Sequence, residues 1–112
     1  MSKFQDCLDT YDKEFKKLGI KYDAAVLKGV AKACGPSIYN ADASKVASSD
    51  KAELGRVKKN FLIKKLGLKD TPTLDAGIKD VIEQIGKSNR NKYRAMFYYL
   101  LTKRFRKSGL FK

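Results

Sequence analysis

Apolar residues recur along this chain at helical spacing. Phe4, Cys7, Leu8, Tyr11, Phe15 and Leu18 fall within about 100° of arc on a helical wheel, a one-sided stripe with charge opposite. The pattern predicts a first helix from about Ser2 to Leu18. Ser2 and Gln5 have capping-box spacing, and Asp9–Lys13 and Asp12–Lys16 are acid-first pairs on the outer face. A second helix starts at Asp23 and buries Val26, Leu27, Val30, Ala31 and Cys34 before Gly35–Pro36 ends it. A third begins at Ser49 or Asp50, with Glu53 completing a capping box, and continues to Leu66. A fourth starts at Thr71–Pro72, proline suiting the first helical position, and buries Leu74, Ile78, Val81, Ile82 and Ile85. A fifth runs from near Ser88 or Asn89 to about Lys107, with Tyr93, Met96, Phe97, Leu100, Leu101 and Phe105 on its core face.

Gly19, Gly35, Gly67, Gly86 and Gly109 each follow one of these segments, as expected for helices that end in a left-handed residue. Period-two alternation is nowhere sustained. The prediction is an all-α fold, a compact bundle of about five helices forming one domain over residues 1–112. Residues 35–49 are long for an irregular connection, so Asp42 is expected to cap a short helical turn through Val46–Ala47, with Ile38 and Tyr39 as anchors.

Charge changes the picture. The chain carries +13 overall, and the surplus is lopsided: residues 1–55 are near neutral, whereas residues 56–112 hold Asp70, Asp75, Asp80 and Glu83 as their only acids. Repulsion of that size favours an anionic partner. On the third helix Lys58 and Lys65 fall inside the apolar arc of Leu54, Val57, Phe61, Leu62 and Leu66, which reads as lysine stems snorkelling past core contacts. On the fifth, Lys92, Tyr99, Lys103 and Arg106 share about 60° of arc away from the core face. A tyrosine among cations there would stack on a base or sugar beside phosphate contacts, with Arg90 and Arg94 in support. A helix-turn-helix through Gly86, with Ser88, Asn89, Arg90, Asn91 and Lys92 opening a recognition helix, fits poorly. Ile82 and Lys92 fall where that motif needs a small and an apolar residue, so a plain αα-hairpin is expected.

Other chemistries find little footing. Cys7 and Cys34, with no histidine, fall short of the four ligands of structural zinc, so no metal or other cofactor is expected. Both thiols lie on apolar stripes and should be buried, reduced and slow, with no cation placed to stabilise a thiolate. Gly29 to Gly35 departs from a phosphate loop in spacing and lacks its lysine. Without histidine the usual base near neutral pH is missing, and no catalysis is expected. No apolar run is long enough to span a bilayer, and the N-terminus lacks a signal peptide's apolar region, so the expected location is cytoplasmic.

Three stretches, GPSIYNADAS (35–44), RVKKNFLIKKLGL (56–68) and SNRNKYRAMFYYLLTK (88–103), resemble a family of small bacterial proteins known only as a domain of unknown function. The resemblance implies a small soluble helical protein and brings no activity, cofactor or catalytic residue with it. The leading expectation is therefore a basic helical binding module for RNA or DNA without strong sequence preference, using Lys92, Tyr99, Lys103, Arg106, Arg90 and Arg94. The alternative is a protein-interaction or structural module using the 35–49 surface, for which an acidic protein is a further partner class.

Overall fold

Each helix forms where local chemistry starts and stops it. The computed structural model describes residues 3–40, 43–89 and 92–111. Among these, five α-helices and no strand occur, so the fold is all-α. Helix α1 spans Lys3–Leu18 and α2 spans Ala24–Cys34. The Asp23 carboxylate caps α2 by accepting from the amides of Ala25 (3.0 Å) and Val26 (3.4 Å). Ser2 lies outside the described residues, and Gln5 donates to Asp9 (3.0 Å). The Asp12–Lys16 pair forms on the outer face at 2.9 Å.

Helix α3 begins at Lys51 with Asp50 as its cap, accepting from Ala52 N–H (2.9 Å). The capping box does not form: the Asp50 amide donates to Ala47 O, and Glu53 turns to two arginines instead. After Arg56 the helix continues as a π-helix over Val57–Ile63. Amides there and just beyond reach back five residues, Lys64 to Lys59 O (3.2 Å) and Leu66 to Phe61 O (2.9 Å). The wider turn breaks the 100° phase of the wheel, which explains the two lysines in its apolar arc. Lys58 is half-buried and bridges Asp70 (3.1 Å) and Asp75 (3.2 Å), while Lys65 is exposed.

Helix α4, Pro72–Ile85, starts after Thr71 as expected and ends at Gly86 (φ 111°). Helix α5 is shorter than its sequence implied, Arg94–Arg104. It stops at Arg106, which takes the left-handed conformation (φ 58°) assigned to Gly109, and Lys107 N–H closes the end on Thr102 O (2.9 Å).

Residues 43–46 also depart from expectation. Gly35–Tyr39 is a 3₁₀ turn whose Ile38 is buried, but Tyr39 is exposed, and Asp42 lies outside the described residues. Val46 is buried without a helical turn around it. Lys45 instead forms an isolated antiparallel bridge with Tyr93, with Val46 N–H on Lys92 O (2.8 Å) and Arg94 N–H on Ser44 O (2.6 Å). This pairing pulls residues 92 and 93 into extended backbone and so delays the start of α5.

Helix α5 is central. Ala95, Met96, Phe97, Tyr99, Leu100, Leu101 and Thr102 are all buried, so its core face wraps almost around it. It packs on α2 and α4, and Tyr99 meets Phe15 of α1 edge-on at 5.5 Å. Phe61 and Tyr98 stack at 4.1 Å, joining the π-helix to α5. Tyr11, Phe15, Phe61, Ile78, Val81, Phe97 and Leu101 lie in the core as the sequence predicts, with Phe4 partly buried at its edge. The C-terminal residues cross α2 at Gly29, where any side chain would meet the Phe111 backbone oxygen at 2.3 Å.

Candidate functional site

The α5 cations divide by depth. Lys92 is only 3 % exposed and precedes the helix. Its ammonium donates to Lys87 O (3.0 Å) and Asn89 O (2.6 Å), tying down the α4–α5 connection. Burial pushes its pKa down. Tyr99 is 1 % exposed, and its hydroxyl accepts from Asp23 N–H (2.8 Å). The expected solvent face of Lys92, Tyr99, Lys103 and Arg106 therefore does not exist as one surface. Lys92 is not on the helix that set the spacing, and Tyr99 faces α1 and the start of α2. Ser88, Asn89 and Lys92 occupy a connection and open no recognition helix, while Arg90 and Asn91 lie outside the described residues.

Arg94 is mostly buried, and each of its three guanidinium nitrogens is engaged. It donates through Nε to Ala43 O (2.7 Å), and through its two terminal nitrogens to Tyr98 OH (2.9 Å) and Glu53 Oε1 (2.8 Å). Burial works against the guanidinium charge, but Glu53 and Tyr98 outweigh it and hold the pKa above its ordinary value. Burial likewise opposes the Glu53 carboxylate, yet hydrogen bonds from Arg56 and Arg94 keep its pKa below the usual carboxylate range. One carboxylate thus serves two guanidiniums, each at 2.8 Å.

Lys103 and Arg106 remain at the surface, as the sequence suggests. Lys103 shares a 300 Å³ hollow with Lys21, Gln84 and Arg104, beneath which Tyr99 and Leu100 form the floor. Arg104 is paired there with Asp80 (3.2 Å). Lys21 went unnoticed in sequence because it stands in the α1–α2 connection, far along the chain from α5.

A second hollow, about 310 Å³, lies between α2, the π-helix and α5. Cys34, Asn60, Lys65, Arg94 and the stacked Phe61 and Tyr98 line it. Burial pushes the Cys34 thiol up to about 12, against the opposing pull of Arg94 and Lys65. Cations do face this thiol, contrary to the sequence expectation, but burial wins and Cys34 remains a thiol. Cys7 is also raised by burial, and both cysteines are free and half-buried. The one sequence signal for this hollow was the misplaced phase of Lys65, the mark of a stretch that is not α-helical.

Among the described residues no cluster of His, Cys, Asp and Glu could hold a metal ion, and no helix is long and apolar enough to cross a membrane. No curated protein matches the chain. The sequence profile of a family described as protein of unknown function (DUF2853) matches residues 10–109. That span takes in all five helices but the first turns of α1, and the chain belongs to this DUF2853 family.

Proposed function

We propose that the protein is a non-catalytic binding module for an anionic polymer, nucleic acid without sequence preference, held by surface cations and not by stacking. One observation carries the reading. In residues 56–112 every acid is already in an ion pair: Asp70 and Asp75 with Lys58, Asp80 with Arg104, Glu83 with Lys87. Lys59, Lys64, Lys69, Lys79, Lys103 and Arg106 are exposed with no carboxylate partner among the described residues. Such charge gains by displacing counterions from a polyanion. In this reading Lys21 and Lys103, which line one hollow, and the exposed Arg106 just after α5 supply the contacts in place of those expected from sequence. Tyr99, being core, takes no part. The reading includes a bacterial cytoplasm as the location, where both thiols stay reduced.

Binding to random duplex DNA and RNA, followed by fluorescence anisotropy across a salt series, tests this. The wild type should bind with log K falling linearly against log salt. Replacing Lys21, Lys103 and Arg106 together by Gln should flatten the slope by about 3 units. No binding at about 50 mM salt, or an unchanged slope in the triple variant, overturns the proposal. An acidic protein captured in place of nucleic acid would favour the interaction-module alternative.

A further inference from the structure

The hollow beside Cys34 has the composition of a small-ligand site and lies apart from the cations proposed to meet a polyanion at the end of α5. Its volume, about 310 Å³, is at the lower end for such sites. Its polar groups converge from three elements: Asn60 and Lys65 on and just after the π-helix, Arg94 at the start of α5, and Ser37 in the 3₁₀ turn. No acid lines it. Glu53, the carboxylate that steadies Arg94, is shared with Arg56, so the local balance stays positive. Among the described residues three of the five guanidinium N–H groups of Arg94 are used, on Ala43 O, Tyr98 OH and Glu53, leaving two. Lys65 has no ion-pair partner among the described residues, and the Tyr98 hydroxyl accepts from Arg94 and keeps its own hydrogen to give. Against these donors stands an apolar wall of Ala33, Ala43 and the Phe61–Tyr98 stack. A half-enclosed, low-dielectric hollow strengthens the pull of such cations on an anion. The π-helix is pertinent: a wide turn places Asn60 and Phe61 on the pocket while Leu62 stays in the core, and π-turns concentrate at functional sites.

We propose that this hollow binds a small organic anion, a carboxylate or phosphate on a flat apolar body. The oxyanion is held by Lys65, Arg94 and Asn60, and the body lies against Phe61, Tyr98 and Ala33. The head groups share the chemistry of a planar or tetrahedral oxyanion facing a guanidinium fork and an ammonium.

The test is a ¹H–¹⁵N NMR titration of the full chain, at about 150 mM salt to screen diffuse surface attraction. Three probes are compared: benzoate, phenyl phosphate and, as the uncharged control, benzyl alcohol. At least one anion should give saturable shifts at Cys34, Asn60, Lys65 and Arg94, with Kd in or below the millimolar range, about 1 mM. Benzyl alcohol should bind at least about tenfold more weakly, because it brings no charge to the donors. Whichever anion saturates first identifies the head group. Lys65→Gln, a change at an exposed position, should weaken binding by about tenfold. Ala33→Leu keeps every charge and fills the hollow, so it should abolish the saturable shifts while the rest of the spectrum stays folded. Three results would overturn the proposal: no saturable shift up to about 10 mM probe, shifts spread evenly over surface lysines, or unaltered binding in Ala33→Leu.

Discussion

Lys92, just before α5, and Arg94, its first residue, give their donors to backbone carbonyls, Tyr98 and Glu53. At the C-terminal end of α5, Lys103 and Arg106 face solvent with no carboxylate partner among the described residues. Both ends look equally basic in sequence, yet one set of cations holds the fold together and the other is free to meet a partner. Burial makes the difference: an inward cation must be paired or hydrogen-bonded to be tolerated, and those bonds take most of its donors. Arg94 straddles the two roles, because its fork has more donors than its contacts among the described residues consume and it also lines the hollow beside Cys34.

The comparison breaks most visibly at Tyr99. Tyr99→Ala should destabilise the protein by about 3–5 kcal/mol, the range for losing a buried aromatic, in urea unfolding. Had Tyr99 been a solvent-facing stacking residue, stability would scarcely move. Arg94→Ala should cost about 3 kcal/mol by leaving Glu53 partly buried with a single partner, whereas Lys103→Ala should stay within about 0.5 kcal/mol. Equal costs for the two would erase the distinction between the ends.

Acid sharpens the same contrast. The Glu53 carboxyl is held below its ordinary range in the folded protein, so the folded chain binds that proton less readily than the unfolded chain. The stability it contributes is present above the ordinary Glu range, about 4.3, and is lost as pH falls through and below it. Glu53→Gln should remove this part of the acid slope in denaturation series run at successive pH values, while Lys103→Ala leaves it in place. The smallest effect belongs to Arg106. Its left-handed backbone suits glycine, so Arg106→Gly should raise stability by about 0.5–1 kcal/mol in spite of the lost side chain. A loss of stability would mean that the Arg106 side chain, not the turn, secures the helix end.

Local chemistry was legible in the sequence. The Asp23 cap, the Pro72 start and the glycine stops after α1, α2 and α4 depend on residues a few positions apart, and each appears where the pattern put it. The start of α5 depends instead on the bridge between Lys45 and Tyr93 and on carbonyls gathered by Lys92, contacts that no periodicity encodes. Tyr99 was misread because a wheel assumes one wet side, and a helix enclosed by α1, α2 and α4 has almost none. The hollow beside Cys34 left only the odd phase of Lys65 in the sequence, for a related reason: the π-helix shifts the phase of Asn60 and Lys65, and their companions arrive from α2 and α5. Of the residues the sequence offered for a binding face, Lys103 and Arg106 are exposed as expected, while Lys92 and Tyr99 are structural.

The packed tyrosine rings also govern how the protein meets strong base. Burial raises the phenols of Tyr11, Tyr93, Tyr98 and Tyr99, and burial with the Asp12 carboxylate lifts Tyr22 to about 12. In the unfolded chain all five would ionise near the ordinary value of about 10. Above that pH the unfolded form sheds protons that the folded form retains, so each ring adds to a common alkaline drive toward unfolding. For these five rings, tyrosinate colour is coupled to collapse of the fold, and the ultraviolet spectrum in rising alkali doubles as an unfolding curve.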